Sequence, residues 1–242
     1  MSLIKKLGIR TVKALVTDID GTLTDEKRIL NLDALKALRE AYKANIHIIL
    51  CSSRMFATVS ALAKYLGFES PIIAESGAIV GYPWKPVFVK EIPPDTRHKI
   101  VEIMLQMGFE EIPYNNCRVG DLGFYRTERS KNITEEEILA TLQRYGINRV
   151  NVFDSGFAVH ITPENVDKGY GLMKAIELIN ASVDEVIVIG DGNNDIPMFK
   201  VAKYSIAPSN ASEELKKFAK IVSDLPDGKL IIALVNELLS QL

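Results

Sequence analysis

Cysteine is almost missing from this chain. Cys51 and Cys117 are its two cysteines, too few for a disulfide framework and at no metal-ligand spacing. Cys51 closes an apolar run and reads as core. No stretch approaches the ~18 consecutive apolar residues that a membrane helix needs, so no membrane partner is expected. The opening segment MSLIKKLGIRTVKALVTDID has basic residues but no sustained apolar run and no small-residue cleavage site. A cytoplasmic location is therefore expected, and the Asn-x-Ser/Thr triplets at Asn132, Asn180 and Asn210 count as coincidence. Neither charge sign dominates, with 29 Lys+Arg against 31 Asp+Glu and a net charge of −2. Without a long basic block, nucleic acid is not expected as a partner.

What is present is an ordinary globular composition, 47% apolar and 25% charged over 242 residues. A chain of that length buries roughly three quarters of its unfolded surface and needs no staple. Length allows one large domain or two unequal ones.

The first part alternates strand and helix patterns. Lys13–Thr17 and Ile46–Cys51 are β-type runs, and Leu35, Leu38 and Tyr42 between them recur at helical spacing. Val59, Leu62, Ala63 and Leu66 mark a second helix, stopped by Gly67, and Pro71–Ala74 is a third strand. Near-continuous apolar strands, each followed by a helix, fit a parallel sheet covered on both faces. At Tyr82-Pro83-Trp84-Lys85-Pro86 the texture changes. Val87–Val89, a helix bearing Ile100, Ile103, Met104 and Met107, and a strand Phe124–Thr127 follow. Thr134 and Glu137 then form a capping-box pattern, leading a helix with Ile138, Leu139, Leu142 and Tyr145. Val150–Phe153 and Phe157–Ile161 flank Asp154-Ser155-Gly156, a hairpin signal. The core pattern resumes with a helix through Leu172, Ile176 and Ile179, and with strands Val186–Ile189 and Tyr204–Ala207. Two further helix faces carry Leu215, Phe218 and Val222, then Leu234, Val235, Leu238 and Leu239. The expected architecture is α/β: a Rossmann-like parallel-sheet core over 1–82 and 161–242, with an inserted α+β cap over 83–160.

Chemistry concentrates at strand ends. Asp18-Ile19-Asp20-Gly21-Thr22-Leu23-Thr24 follows directly on Ala14–Thr17, at the sheet edge where ligands bind in open α/β folds. Residues two apart on a strand share a face, so Asp18 and Asp20 are expected to converge. Two like charges there are costly unless a cation or a shared proton relieves them. A DxDG stretch is by itself also a common turn. Gly190-Asp191-Gly192-Asn193-Asn194-Asp195 repeats the arrangement after Val186–Ile189, although Gly-Asp-Gly-Asn is also a generic loop. Mg²⁺ takes oxygen ligands, few of them from protein, and Asp18, Asp20 and Asp191 are a candidate set. Ser52 lies at a third strand end, and Lys168 opens a helix leading back into the core.

In order and spacing, DIDGTLTD, Ser52, Lys168 and GDGNNDIPMF resemble the four motifs of the haloacid dehalogenase-like phosphohydrolase superfamily, over essentially the whole chain. The insert between the second and third motifs resembles the Cof-type (C2B-capped) branch. Within it, NLDALKALREA and PIIAESGAIV look most like archaeal phosphoglycolate phosphatases and sucrose-phosphate-phosphatase-like relatives. The resemblance implies a Mg²⁺-dependent phosphatase of small phosphorylated metabolites. Asp18 would be the nucleophile, forming an aspartyl-phosphate, and Asp20 the acid and base. Asp18, the Asp20 carbonyl and Asp191 would hold the metal, with Asp195 joining directly or through water. Ser52, Ser53 and Lys168 would hold phosphoryl oxygens, and Asn194 would orient Lys168 or the phosphate. The substrate implied is 2-phosphoglycolate, with sugar phosphates as the alternative; a homodimer is left open. One departure is Ser53-Arg54, where relatives commonly carry Gly-Asn or Gly-Arg, so that Arg54 would reach the cap or the substrate.

Two rivals come from other classes. A receiver-type phospho-Asp signalling module would be about half this length and would lack the cap. A metal-dependent glycosyltransferase would leave Lys168 and Gly190–Asp195 unexplained. Among weaker candidates, His160 at the return from cap to core is read as packing rather than cleft-facing, His47 as structural and His98 as solvated. Arg118 and Arg126 are candidates to grip a substrate carboxylate, which Arg matches bidentately. Asp184-Glu185 and Glu135-Glu136-Glu137 are read as solvated helix-start acids.

Overall fold

The computed structural model describes residues 3–241. In chain order its elements are α1 (Leu3–Leu7), β1 (Ala14–Thr17), α2 (Leu32–Lys43), β2 (His47–Leu50), α3 (Phe56–Tyr65), β3 (Ile72–Ala74), β4 (Ile79–Tyr82), β5 (Lys85–Val89), α4 (Pro94–Gln106), β6 (Glu110–Glu111) and β7 (Leu122–Tyr125). There follow α5 (Glu135–Arg144), β8 (Val150–Asp154), β9 (Val159–Pro163), α6 (Lys168–Leu178), β10 (Val186–Ile189), α7 (Ile196–Val201), β11 (Tyr204–Ala207), α8 (Glu213–Lys216), β12 (Ile221–Val222) and α9 (Asp227–Leu239).

The central sheet runs β12-β11-β10-β1-β2, and every pairing in it is parallel. Its strands are apolar on both faces because both are covered. Leu15, Ile48, Leu50, Ile187 and Ile189 pack beneath α2 and α9. The residues that alternate with them, Ala14, Val16, Ile49, Val186 and Val188, pack beneath α6 and α7. The period of two along a strand thus sorts the side chains into two cores. Local signals set the helix ends. Asn31 Oδ1 accepts from Asp33 N and Ala34 N to start α2, and Gly67 ends the turn after α3 at φ +77°.

Beside the central sheet, β3 joins β2 through one parallel bridge, Cys51 to Ile73. It then pairs antiparallel with β4, which pairs with β5. The third strand expected from Pro71–Ala74 therefore heads a β3-β4-β5 meander. The second sheet runs β6-β7-β9-β8, antiparallel throughout. Its own core gathers Ile100, Met104, Phe124, Ile138, Leu142 and Ile161 under α4 and α5. The Thr134–Glu137 capping box is formed in full.

Several elements depart from expectation, among them the strand expected over Phe157–Ile161, which lies at Val159–Pro163, and Phe218, which lies beyond the end of α8. The Phe124–Thr127 strand lies at Leu122–Tyr125, because Thr127 turns to bond Gly108 O and Ser130. Val222 is in edge strand β12, not on a helix face with Leu215, because Ile221 and Val222 pair with Ile206 and Ala207. Helix α1, with Ile4 and Leu7 buried against α9, has too short a pattern to read beforehand. As for domain limits, residue 83 lies in the β4–β5 turn, and residue 160 lies within β9. Phe88 of β5 packs on the core, whereas Ile92 belongs to the cap core. We propose crossings near 90–91 and 164–167.

Candidate functional site

Parallel register brings three strand ends to one edge. Thr17 lies beside Ile189 on one side and Leu50 on the other, so the residues that follow emerge side by side. Asp18 N donates to Ile189 O at 2.9 Å, and Cys51 N donates to Thr17 O at 2.9 Å. Lys168 is the first residue of α6, whose N-cap, Asp167, accepts from Tyr170 N at 2.8 Å. That anchoring sends Lys168 Nζ between two carboxylates, 2.6 Å from Asp18 Oδ1 and 2.6 Å from Asp195 Oδ1. All three side chains are buried.

Carboxylate oxygens of Asp18, Asp191 and Asp195 lie within 4.8 Å of one another. With Lys168 as the cation among them, the cluster carries an excess of negative charge. Burial, reinforced by Asp195, pushes the Asp191 carboxyl up to about 7. Burial likewise pushes Asp18 well above the usual carboxylate range, against the pull of Lys168. Burial works against the Lys168 charge too, but Asp18 and Asp195 outweigh it and hold the ammonium. Three oxygen-donor side chains with unbalanced charge fit a hard divalent cation, which would draw both carboxyls back down. Asp195 is the most committed of the three, since its Oδ2 also accepts from Asp191 N and Gly192 N, each at 3.0 Å. Asp191 Oδ1 accepts from buried Thr22 Oγ1 at 2.8 Å. Asp18 Oδ2 and Asp191 Oδ2 accept no hydrogen bond among the described residues. Gly21 is required here: its φ is +85°, and a Cβ would lie 2.2 Å from Asp191 Oδ2.

The Asp20 side chain goes elsewhere. Strand β1 ends at Thr17, so the alternation expected to unite Asp18 with Asp20 no longer applies at these residues. Arg54 takes the Asp20 carboxylate bidentately, Nε to Oδ2 at 2.7 Å and Nη2 to Oδ1 at 2.6 Å. The like charges that crowd Asp18 come from Asp191 and Asp195 instead. Ser52 is buried, and its Oγ accepts from Arg54 N at 3.1 Å. Asn194 Nδ2 donates to Ser53 Oγ at 3.3 Å, linking two loops that the sequence separates widely.

Asp18, Asp20, Ser52, Ser53, Arg54, Asp191 and Asn194 line one cleft of about 570 Å³, walled on the cap side by Tyr114, Arg118, Tyr125, Phe157 and His160. His160 is buried, and its Nδ1 is 3.0 Å from Asp121 Oδ2. It both packs and faces the cleft. Arg28 of the core sits over the Phe157 ring of the cap, 3.6 Å from its centroid. Arg126 is committed within the cap, to Asp154 at 2.7 Å and to the carbonyls of Ser130 and Ile133. His47 Nδ1 meets Ser70 Oγ at 3.2 Å, and His98 is exposed. Glu135 does more than a solvated helix-start acid, since its Oε1 accepts from Asp154 N at 2.6 Å. Sequence reading passed over the Thr22 side chain, although its place inside the first acidic stretch was a usable signal. No such signal marks Tyr114 or Phe157, which lie far from the motifs along the chain, whereas Arg28 lies three residues beyond the first motif.

Comparison with known proteins agrees with this geometry. A family model described as haloacid dehalogenase-like hydrolase matches residues 15–137 and 123–228. A phosphoglycolate phosphatase of Methanopyrus kandleri is 32% identical over 231 residues, covering 93% of this chain and 97% of that protein. One from Archaeoglobus fulgidus is 36% identical over 226 residues, covering 91% and 94%. A solved structure from Thermoplasma acidophilum superposes with a TM-score of 0.81 at 26% identity, over 94% of this chain and 98% of that one. The chain belongs to the haloacid dehalogenase-like hydrolases, among their phosphatases.

Proposed function

We propose that this protein is a Mg²⁺-dependent phosphatase of small phosphorylated metabolites in the cytoplasm, and that its substrate is 2-phosphoglycolate. The observation that carries the reaction is Lys168 Nζ at 2.6 Å from both Asp18 and Asp195, with Asp191 alongside. This group holds a carboxylate at the cleft floor with one oxygen free. The substrate is supported by the likeness to phosphoglycolate phosphatases at about 30% identity.

Asp18, Asp191 and the Asp20 carbonyl would hold the cation, with Asp195 behind them. When bound, the cation supplies positive charge for the phosphoryl oxygens. Asp18 Oδ2 attacks phosphorus as the ester P–O bond breaks, and the departing alkoxide takes a proton from Asp20, whose carboxyl must first leave Arg54 and be protonated to serve as the acid. Asp20 then removes a proton from water, whose oxygen attacks the aspartyl-phosphate, releasing phosphate and restoring Asp18. Lys168, Ser52 and Ser53 steady the phosphoryl oxygens, since phosphoryl transfer depends mainly on positioning and electrostatics. The Ser53 contact of Asn194 supports a role for Asn194 in setting that loop.

One observation favours a second reading. A cleft of about 570 Å³ is large for a two-carbon acid, and sugar phosphates would fill it better. The deciding experiment is phosphate release from 2-phosphoglycolate, sugar phosphates and an aryl phosphate, with and without Mg²⁺, by wild type and Asp18→Asn. Mg²⁺-dependent release that disappears in Asp18→Asn is expected, fastest for 2-phosphoglycolate. A sugar phosphate as best substrate replaces the substrate assignment. No release from any ester overturns the phosphatase reading.

A further inference from the structure

Arg54 and Arg118 both line the cleft, and their guanidinium groups are used differently. Arg54 spends its Nε–Nη2 edge on a carboxylate, that of Asp20. Arg118 leaves that same edge open. Its Nη1 donates to Ser53 O at 3.0 Å and to Asp121 Oδ1. Its Nε is buried with no hydrogen-bond partner and is the only side-chain polar atom so placed among the described residues. Nη2 likewise meets no protein acceptor among them. A guanidinium has no way to lose its charge, and a buried donor without an acceptor is costly. Such a group in a cleft wall is suited to receive an anion.

The side chain is held for that task. Arg118 is 9% exposed. Asp121, fully buried, fixes its Nη1 end and is itself fixed by Ser76 Oγ at 3.2 Å and by His160 Nδ1 at 3.0 Å. The His160 ring stacks on Phe153, with centroids 5.4 Å apart. Through the Ser53 carbonyl, the guanidinium is tied to the residue next to Ser52, at the rim of the proposed phosphoryl site. An anion on the open edge would therefore lie close to that site, as a second charged group on a short ester must. A guanidinium fork meets phosphate and carboxylate alike with two parallel N–H groups, but in the reading above the phosphoryl group already has Lys168, Ser52 and Ser53, which leaves the ester's second anionic group for this edge.

We infer that Arg118 recognises the substrate carboxylate through its Nε–Nη2 edge and so selects phosphorylated hydroxy acids over phosphate esters of uncharged alcohols. The inference rests on the acidic-substrate reading above. Arg126 drops out as the alternative, because it is committed to Asp154 and two carbonyls.

The test compares kcat/KM for 2-phosphoglycolate and for ethyl phosphate, its carboxylate-free counterpart, in wild type and Arg118→Lys. Lysine keeps a positive charge opposite Asp121 and loses the fork. The wild-type preference for 2-phosphoglycolate is expected to fall about 30-fold, the scale of a charge-assisted hydrogen bond, with the loss chiefly in KM. A preference that survives Arg118→Lys, or equal losses on both esters, overturns the role of Arg118 and leaves the acidic-substrate reading standing. A wild type that does not prefer 2-phosphoglycolate removes that reading and the inference with it. Should Arg118→Lys fail to fold, a crystal structure of Asp18→Asn with 2-phosphoglycolate decides. A carboxylate on the Nε–Nη2 edge upholds the inference, and one held elsewhere overturns it.

Discussion

The core and the cap each bury ionised side chains, and they balance them in opposite ways. At the core edge, Asp18, Asp191 and Asp195 share one lysine. In the cap, buried Asp121 has Arg118 to itself and is further met by His160 and Ser76. The carboxyls respond accordingly. Burial takes Asp191 up to about 7, and Asp195 adds to the rise. Burial pushes Asp121 upward as well, yet Arg118 and His160 pull it below its ordinary value. Where charge is left uncompensated, the fold holds room for a cation and a phosphoryl group. Where it is matched, the fold holds shape, here the cleft wall from which Arg118 presents its remaining edge.

The largest effect that tests this contrast is on turnover. Asp18→Asn removes the proposed nucleophile and should lower phosphate release by about 10⁴-fold or more, the scale of deleting a covalent catalytic group. A residual rate within tenfold of wild type would show that the core cluster does not do the chemistry. Lys168→Met comes next. It leaves three carboxylates facing one another, so a loss of about 10³-fold in rate is expected, with a stability loss of about 3–5 kcal/mol in metal-free buffer. Urea titrations with and without Mg²⁺ measure the second part, and Mg²⁺ should restore much of it. If the metal-free variant is as stable as wild type, the core carries no excess charge.

Asp121→Asn strikes the balanced pair instead. Leaving Arg118 buried without its counter-ion should cost about 3 kcal/mol, and the added stability that Mg²⁺ confers should be unchanged. An altered Mg²⁺ effect would mean that the two charge systems are coupled. The smallest expected effect is acid sensitivity away from both. Burial lowers the His47 pKa below its ordinary 6.5, so the unfolded chain binds the proton more readily. The stability His47 contributes is therefore full above pH 6.5 and is lost as pH falls toward its folded-state value. Replacing it in His47→Gln should flatten the melting temperature across that window.

Much of this was legible beforehand, and for a stated reason. Strand and helix periods are local, so β1, β2, β10 and β11 could be read from apolar runs. The positions of Asp18, Ser52 and Asp191 followed from where those runs stop, and that of Lys168 from the helix it opens. Harder to read was anything decided by a turn. Asp20 was expected beside Asp18, but the turn through Gly21 hands its carboxylate to Arg54. Val222 was expected on a helix, but pairing with Ala207 makes it an edge strand. Pro71–Ala74 was expected in the parallel sheet; it meets that sheet through one parallel bridge and leads an antiparallel meander.

By itself, then, the sequence determined the alternation of elements and the acidic residues, serine and lysine at the carboxyl edge of the sheet. Chain neighbours alone are enough to terminate a strand or cap a helix. Only the tertiary structure decided which charges face which. Lys168 reaches Asp18 across 150 residues, and Arg118 reaches the Ser53 carbonyl across 65. Contacts of that span depend on parallel register and on where the cap returns to the core. They leave no period in the sequence, because the partners share no local conformation, only a place.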